Sequence, residues 1–317
     1  MDTLTLTATA KMPAASPFEQ ISALLLETFP AHAAQVEKRM KAPAAERAVI
    51  EELSANILAI AGNEATLRTY CQDYKWLTDR MLEEELYFRR HGRYRIATFE
   101  QAEKEVYANK DFMTKYMHGV LLSHLFWSNH TQVIQYLIET FLPGNKDGYR
   151  HLEVGPGHGL LLYRAAKDPR AASIAGWDVS ETSMKMTEAT LKAMGVQRPI
   201  SLELKNLFAN PVGQFDSIVF SEVLEHLEQP VEALKILANL TAPGGRLFIN
   251  APINSPAPDH IYLFNTPEEF IDMVKSVGLE VEDVMMAPVI GSTLERARAL
   301  KFTISTVVIA RKPTKDI

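Results

Sequence analysis

The stretch His151-Leu-Glu-Val-Gly-Pro-Gly-His-Gly159 narrows the fold more than any other: an apolar strand-like run empties into three glycines and is followed by the amphipathic segment Leu160–Lys167. Glycines at 155, 157 and 159 permit a tight turn and let the backbone approach a ligand closely. Strand, glycine turn and helix in that order belong to α/β proteins, which bind ligands outside the carboxyl ends of parallel strands. The C-terminal half keeps up the alternation. Apolar strands are expected at Ser173–Trp177, Ser201–Leu204, Ser217–Phe220, Arg246–Asn250, Val281–Met286 and Thr303–Ala310. Helices fit between them at Glu181–Met194, Val231–Leu240 and Pro267–Val277, which predicts a mostly parallel sheet covered on both faces. The last two strands lack a clear crossover and suit an antiparallel edge pair.

Upstream the period is helical. Ile21, Leu24, Leu25 and Phe29 mark a first helix, Ala45–Ile60 a second closed by Gly62, and Glu64–Arg90 a third closed by Gly92. Thr98 and Gln101 form a capping box for a fourth, and one long helix is expected from about Asp111 to Phe141. Pro143-Gly-Asn-Lys-Asp-Gly148 is the natural boundary. The division expected is a flexible tail at 1–17, an all-helical lid or dimerisation domain at 18–145, and a ligand-binding Rossmann-like domain at 146–317. A net charge of −6 with a pI of 5.9 argues against a nucleic-acid partner. One cysteine, Cys71, fits a reducing cytoplasm. No apolar run approaches the roughly 18 residues of a membrane span, and the first residues do not read as a secretion signal. A soluble cytoplasmic protein is expected, and the apolar helical half suggests a homodimer.

Several acids and amides sit where a nucleoside would be read. The Gly-x-Gly-x-Gly spacing lacks the rhythm that suits a pyrophosphate, and Glu153 precedes the first glycine by two residues. Asp178, about 20 residues on at the end of the second strand, can accept two ribose hydroxyls; as an alternative it caps the next helix, although Ser180 is better placed for that. Asn206, followed by Leu207, lies at the same rim, either beside an adenine or as a turn residue. With Phe215-Asp-Ser-Ile-Val-Phe-Ser-Glu-Val-Leu-Glu-His-Leu-Glu-Gln-Pro230 and Ala242-Pro-Gly-Gly-Arg-Leu247, these motifs resemble the class I S-adenosylmethionine (SAM)-dependent methyltransferases from about Tyr149 to Ala310. The resemblance implies a seven-stranded sheet and SAM as cofactor. It places Glu153, Gly155, Gly157 and Gly159 near the methionine part. Asp178 and Val179 would then lie at the ribose, Asn206 and Leu207 at the adenine, and Ser221 and Glu222 beside the cofactor. Many members carry an acid where this chain has Asn206.

For chemistry, Asp259-His260 in the loop after the fifth strand offers a general base, since histidine is poised near neutral pH. Tyr116, on a stripe with Phe112 and Val120, and Tyr107 nearby offer ring faces to a sulfonium, unless that stripe is simply core. Asn129 and His130 are polar candidates for the same pocket. Glu222, Glu225 and His226 share a turn, and metal-dependent branches such as ubiquinone-pathway and small-RNA O-methyltransferases use a comparable pattern, with His260 as a fourth ligand. Metal-free relatives carry the same motif, and no metal is expected. The expected activity is methyl transfer to a small N, O or C nucleophile of secondary metabolism. The stretch Tyr116–His130, joined to Leu152–Leu161, also resembles azetidine-2-carboxylate synthases. These lyases act on SAM alone, closing the methionine amine on its γ-carbon and releasing methylthioadenosine.

Overall fold

A computed structural model describes residues 15–289 and 291–314, so the tail expected at 1–17 lies almost wholly outside the described residues. Pro17, assigned to that tail, opens α1 (Pro17–Thr28). Ser16 and Glu19 close a reciprocal capping box there, and a proline at the first helical position has no N–H to lose. Helices α2 (Ala33–Met40), α3 (Ala44–Ala61) and α4 (Glu64–His91) follow, the last two ending on Gly62 and Gly92 at φ of +71° and +67°. Ile21, Leu53, Ile57, Tyr74, Leu122 and Phe126 share their core. A buried Arg39–Glu46 ion pair crosses it, and Arg39 also donates to the Leu125 carbonyl at 2.8 Å and to Thr131 Oγ1 at 2.7 Å.

The long helix expected from Asp111 to Phe141 is broken. α6 (Lys110–Phe126) stops at Trp127, whose backbone is extended (φ −102°, ψ 110°), and α7 (Ser128–Tyr136) starts in a new direction before a π turn at Leu137–Phe141. Thr131 Oγ1 donates to the His124 carbonyl at 2.6 Å. That is the carbonyl Ser128 N–H would take in an unbroken helix, so a side-chain hydroxyl competes with the backbone ladder. The break lets Val133, Leu137 and Phe141 join Val219, Phe248 and Val307 in a core with the sheet. The helix begun by Thr98 is also short: α5 (Phe99–Ala102) runs into a second π turn, Glu103–Tyr107.

The sheet has seven strands: β1 (Tyr149–Val154), β2 (Ala171–Asp178), β3 (Ser201–Leu204), β4 (Phe215–Ser221), β5 (Thr241–Ile253), β6 (Glu280–Pro288) and β7 (Ile304–Arg311). Their order is β3-β2-β1-β4-β5-β7-β6. The first five are parallel, and β7 runs antiparallel between β5 and β6. The expected antiparallel pair is therefore present, with β7 inserted inside β6. A helix not foreseen, α12 (Leu294–Leu300), joins them; only Ala297 of it is buried, so it carries no apolar stripe to read. Helices α8 (Leu160–Lys167) and α9 (Glu181–Ala193) lie with α7 on one face, and α10 (Pro230–Leu240), α11 (Pro267–Ser276) and α12 on the other. Both faces are covered, as a parallel sheet requires.

Candidate functional site

Order reversal between β1 and β4 opens a crevice at the carboxyl ends of these strands, the usual seat of a ligand in such a sheet. Two cavities meet there, and Gly155 and His226 line both. Gly155, Gly157 and Gly159 have φ of +73°, +54° and +73°. A Cβ on Gly155 would sit 2.7 Å from Val223 Cγ2, so this glycine is required both by its conformation and by the approach of the β4 loop. Thr187 Oγ1 ties the Gly157 carbonyl to α9 at 2.8 Å. Gly159 caps α8 without a side-chain acceptor and does not line either cavity.

The outer cavity, of about 540 Å³, is walled by Asp178, Val179, Asn206 and Leu207, all singled out in the sequence, and also by Phe99, Lys205 and Phe208. Asp178 accepts the Ser180 amide at 2.8 Å and the Ser183 hydroxyl at 2.6 Å, while Ser180 is the cap of α9. The Asn206 oxygen takes the Phe208 amide at 2.9 Å, so it is a turn residue and a wall residue at once. Phe99 is 44% exposed although it faces a cavity, and its amide is held by Glu228 Oε1 at 2.7 Å. Sequence reasoning passed over Phe99 because it belongs to the helical half, far from any glycine motif.

The inner cavity, of about 290 Å³, lies under α6. Glu153 reaches it from β1, buried, with Oε2 lacking any partner; burial alone raises its carboxyl well above the usual range. Ser221 and Glu222 come from the end of β4. Glu222 holds a positive φ of 54°, an uncommon conformation for a side-chain-bearing residue, and accepts Asn250 Nδ2 at 2.6 Å. Burial, helped by Asp259, pushes its carboxyl up to about 7 against that hydrogen bond. Asn250 pairs with Ser221 across β4 and β5, and its buried Oδ1 is unpartnered. A polar residue ending the apolar run Leu247–Ile249 was the signal for it.

Loop residues 255–260 close the far wall. Asp259 is buried and gathers the lid: Tyr116 Oη donates to Oδ1 at 2.8 Å and Tyr107 Oη to Oδ2 at 3.5 Å, with Tyr107 Oη also 3.2 Å from His226 Nδ1. Burial and the Asp259 charge raise both phenols far above their usual value, so both keep their protons. His260 Nδ1 lies 2.6 Å from the Ser255 carbonyl. Burial holds His260 at about 4, so the poise near neutrality expected of it belongs instead to Glu222. His130 also lines this cavity, but Asn129 does not: its amide donates to Ser305 Oγ on β7 at 3.0 Å. The break at Trp127 sends the two neighbours to different sides.

Unpartnered acceptors on Glu153 and Asn250, a glycine turn free of Cβ atoms and a separate cavity with Asp178 at its rim fit a ligand with a cationic amino-acid end and a nucleoside end. SAM is such a ligand. Glu225, His226 and His260 carry ligand-type atoms within 4.8 Å of one another, a two-histidine, one-carboxylate set that a divalent ion can also use.

A family model described as a methyltransferase domain matches residues 126–284, half of the chain. The chain is 28% identical over 157 residues to the ubiquinone biosynthesis O-methyltransferase of Xanthomonas axonopodis pv. citri (strain 306), covering 43% of this chain and 65% of that one. It is 34% identical over 120 residues to the same-named protein of Dechloromonas aromatica (strain RCB), covering 37% and 49%. The match thus spans less than two thirds of these curated relatives. Among solved structures, the YcgJ protein of Bacillus subtilis aligns with a TM-score of 0.48 at 13% identity, over 59% of this chain and 100% of that one. The N-methyltransferase NodS of Bradyrhizobium japonicum WM9 aligns with a TM-score of 0.46 at 17% identity, over 58% and 97%. By its matching domain, its sheet order and its glycine turn, the chain belongs to the class I SAM-dependent methyltransferases.

Proposed function

We propose that the chain transfers the methyl group of SAM to a small nucleophile held in the inner cavity, in secondary metabolism. One observation carries this reading: the crevice is divided at Gly155 into a nucleoside-sized outer cavity and a covered inner one of about 290 Å³. Small-molecule clefts run from roughly 300 to 1,000 Å³. The inner space must also hold the methionine end, so the acceptor is small. SAM supplies an electrophilic methyl carbon. The chain's own part is to bind, orient and exclude water. Glu153 and Asn250 offer acceptors to the amino-acid end, and Asp178 does so at the outer rim. Tyr107 and Tyr116, fixed on Asp259, roof the inner cavity with protonated phenols. Glu222, at about 7, is the group best tuned to take a proton near neutral pH. The O-methylation named for the curated relatives describes those proteins.

The small roofed volume also suits the second reading, in which SAM reacts alone and its own amine closes on the γ-carbon. Incubation with SAM, followed by mass spectrometry, separates the two. S-adenosylhomocysteine formed only with an added acceptor supports methyl transfer. Methylthioadenosine with a four-carbon cyclic amino acid, and no acceptor present, overturns it in favour of cyclisation.

A further inference from the structure

Large apolar side chains left open to water are uncommon enough to be informative when they gather in one place. Phe99 is 44% exposed, Val179 67% and Phe208 39%, and all three line the outer cavity. They come from two different parts of the chain. Val179 and Phe208 belong to the sheet side and sit on fixed backbone. Val179 follows Asp178, whose carboxylate holds the Ser180 amide and the Ser183 hydroxyl, and the Phe208 amide is held by Asn206 Oδ1 at 2.9 Å. Phe99 belongs to the helical half, at the start of α5, and its amide is tied to Glu228 Oε1 at 2.7 Å. Glu228 itself lines the outer cavity, so the tether fixes the lid segment at the cavity wall. The ammonium of Lys205 lies 4.2 Å from the centre of the Trp177 ring, so the cation of this cavity is already stacked on an aromatic face. A cavity with apolar surface supplied from both sides suits a flat, uncharged ring system, and the base of a nucleoside is one.

The segment that carries Phe99 also reaches the second cavity. α5 runs directly into the π turn Glu103–Tyr107, with Ala102 and Val106 buried beneath it. Phe99 at its start lines the outer cavity and Tyr107 at its end lines the inner one, and the two rings pack with centroids 5.9 Å apart, tilted by 34°. Tyr107 in turn is fastened to Asp259. A base that touches Phe99 only while segment 99–107 is seated binds the seated state better, and therefore stabilises it. We infer that Phe99 is the stacking platform that the helical lid supplies for the base of SAM, and that nucleoside binding in the outer cavity thereby fastens the roof of the inner one. This places a cofactor contact in the N-terminal half, outside every motif of the sheet domain. The inference rests on SAM occupying the crevice, and it holds whether SAM then gives up its methyl group or closes on itself.

The test uses the full chain with S-adenosylhomocysteine and 5′-methylthioadenosine, two nucleosides that differ in the amino-acid end. Calorimetric titration compares wild type with Phe99→Leu, Phe99→Trp and Leu86→Ala. Leu86 is a control on α4, similarly exposed at 48% and outside both cavities. Phe99→Leu, which keeps an apolar side chain but no flat ring, is expected to weaken both nucleosides about tenfold, the loss of one base–aromatic stack. Phe99→Trp is expected to stay within about threefold of wild type, and Leu86→Ala to match it. Hydrogen–deuterium exchange then reads the coupling. Saturating S-adenosylhomocysteine is expected to slow amides 99–107 about tenfold in wild type, and in Phe99→Leu to protect 155–159 but no longer 99–107. Unchanged affinity for either nucleoside in Phe99→Leu, or an equal loss in Leu86→Ala, overturns the stack. Equal protection of 99–107 in wild type and Phe99→Leu overturns the coupling. Failure of S-adenosylhomocysteine to bind the wild-type chain overturns the siting of SAM in the crevice, and the role of Phe99 with it.

Discussion

At the scale of single residues, the glycine turn shows how conformation and contact can be separated. Gly155 and Gly148 hold nearly the same left-handed backbone, φ of +73° and +75°. A Cβ on Gly148 would meet nothing within 4 Å, whereas one on Gly155 would press on Val223 Cγ2 at 2.7 Å. Gly148→Ala therefore carries only the cost of a left-handed alanine, about 1 kcal/mol. Gly155→Ala adds the displacement of the β4 loop, for a total of about 2–4 kcal/mol. Urea denaturation of both variants checks the difference, and equal losses would show that the Val223 contact is irrelevant. Glycine identity was visible in the sequence. The neighbour that makes one of the two indispensable lies 68 residues away (155 to 223) and was not.

Among the elements, the helical lid is held over the inner cavity by side chains. Asp259 takes the hydroxyl of Tyr116 on α6 and of Tyr107 on the π turn after α5, while Glu228 takes the amide of Phe99 at the start of α5. Asp259→Asn keeps the volume but removes the charge that strengthens these bonds, worth about 1–3 kcal/mol. Backbone amides between residues 99 and 116 are expected to exchange faster with deuterium in that variant, with protection in β1, β4 and β5 unchanged. Uniform loss of protection would mean that Asp259 holds the whole fold and not the lid. The apolar spacing of α1, α3 and α4 was legible, as were the glycines that close α3 and α4, because local chemistry sets them; the Ser16 capping box of α1 was not read. The break at Trp127 was not legible. It depends on one hydroxyl, Thr131, reaching back across a turn to the His124 carbonyl.

For the whole molecule, the buried histidines and carboxyls set a pH optimum of stability. Burial holds His32, His130, His158 and His260 at about 4, His151 at about 3, and His124 well below 6.5. Unfolding restores each to about 6.5, so between about 4 and 6.5 the unfolded chain binds more protons and stability rises with pH. Glu153, Glu222 and Glu225 are raised by burial, Glu222 to about 7. Above their unfolded value of 4.5 the folded chain binds more protons, and stability falls as pH rises through that window. Six groups oppose three below 6.5, and above it only the carboxyls act. The ligand-free protein is expected to show its highest Tm near pH 6.5, declining on both sides. Differential scanning calorimetry from pH 4 to 9 checks this, and a Tm that climbs steadily to pH 9 would contradict it.

The glycine spacing, the acid ending the second strand and the alternation of strand and helix were enough to predict a mostly parallel sheet with a ligand crevice, because a parallel strand, its turn and its cap are short-range consequences of residue type; SAM itself was named by the resemblance of the whole motif set to the methyltransferases. Strand β7 between β5 and β6, Asn129 turned to Ser305 while His130 faces the cavity, and the joining of Glu225, His226 and His260 were decided only by tertiary structure. These depend on which distant atoms meet and on how deeply they are buried. Burial changes what a residue type can do: it holds the His260 imidazole at about 4, below the neutral poise expected of a histidine, and raises the Glu222 carboxyl, a reversal that no spacing in the chain encodes.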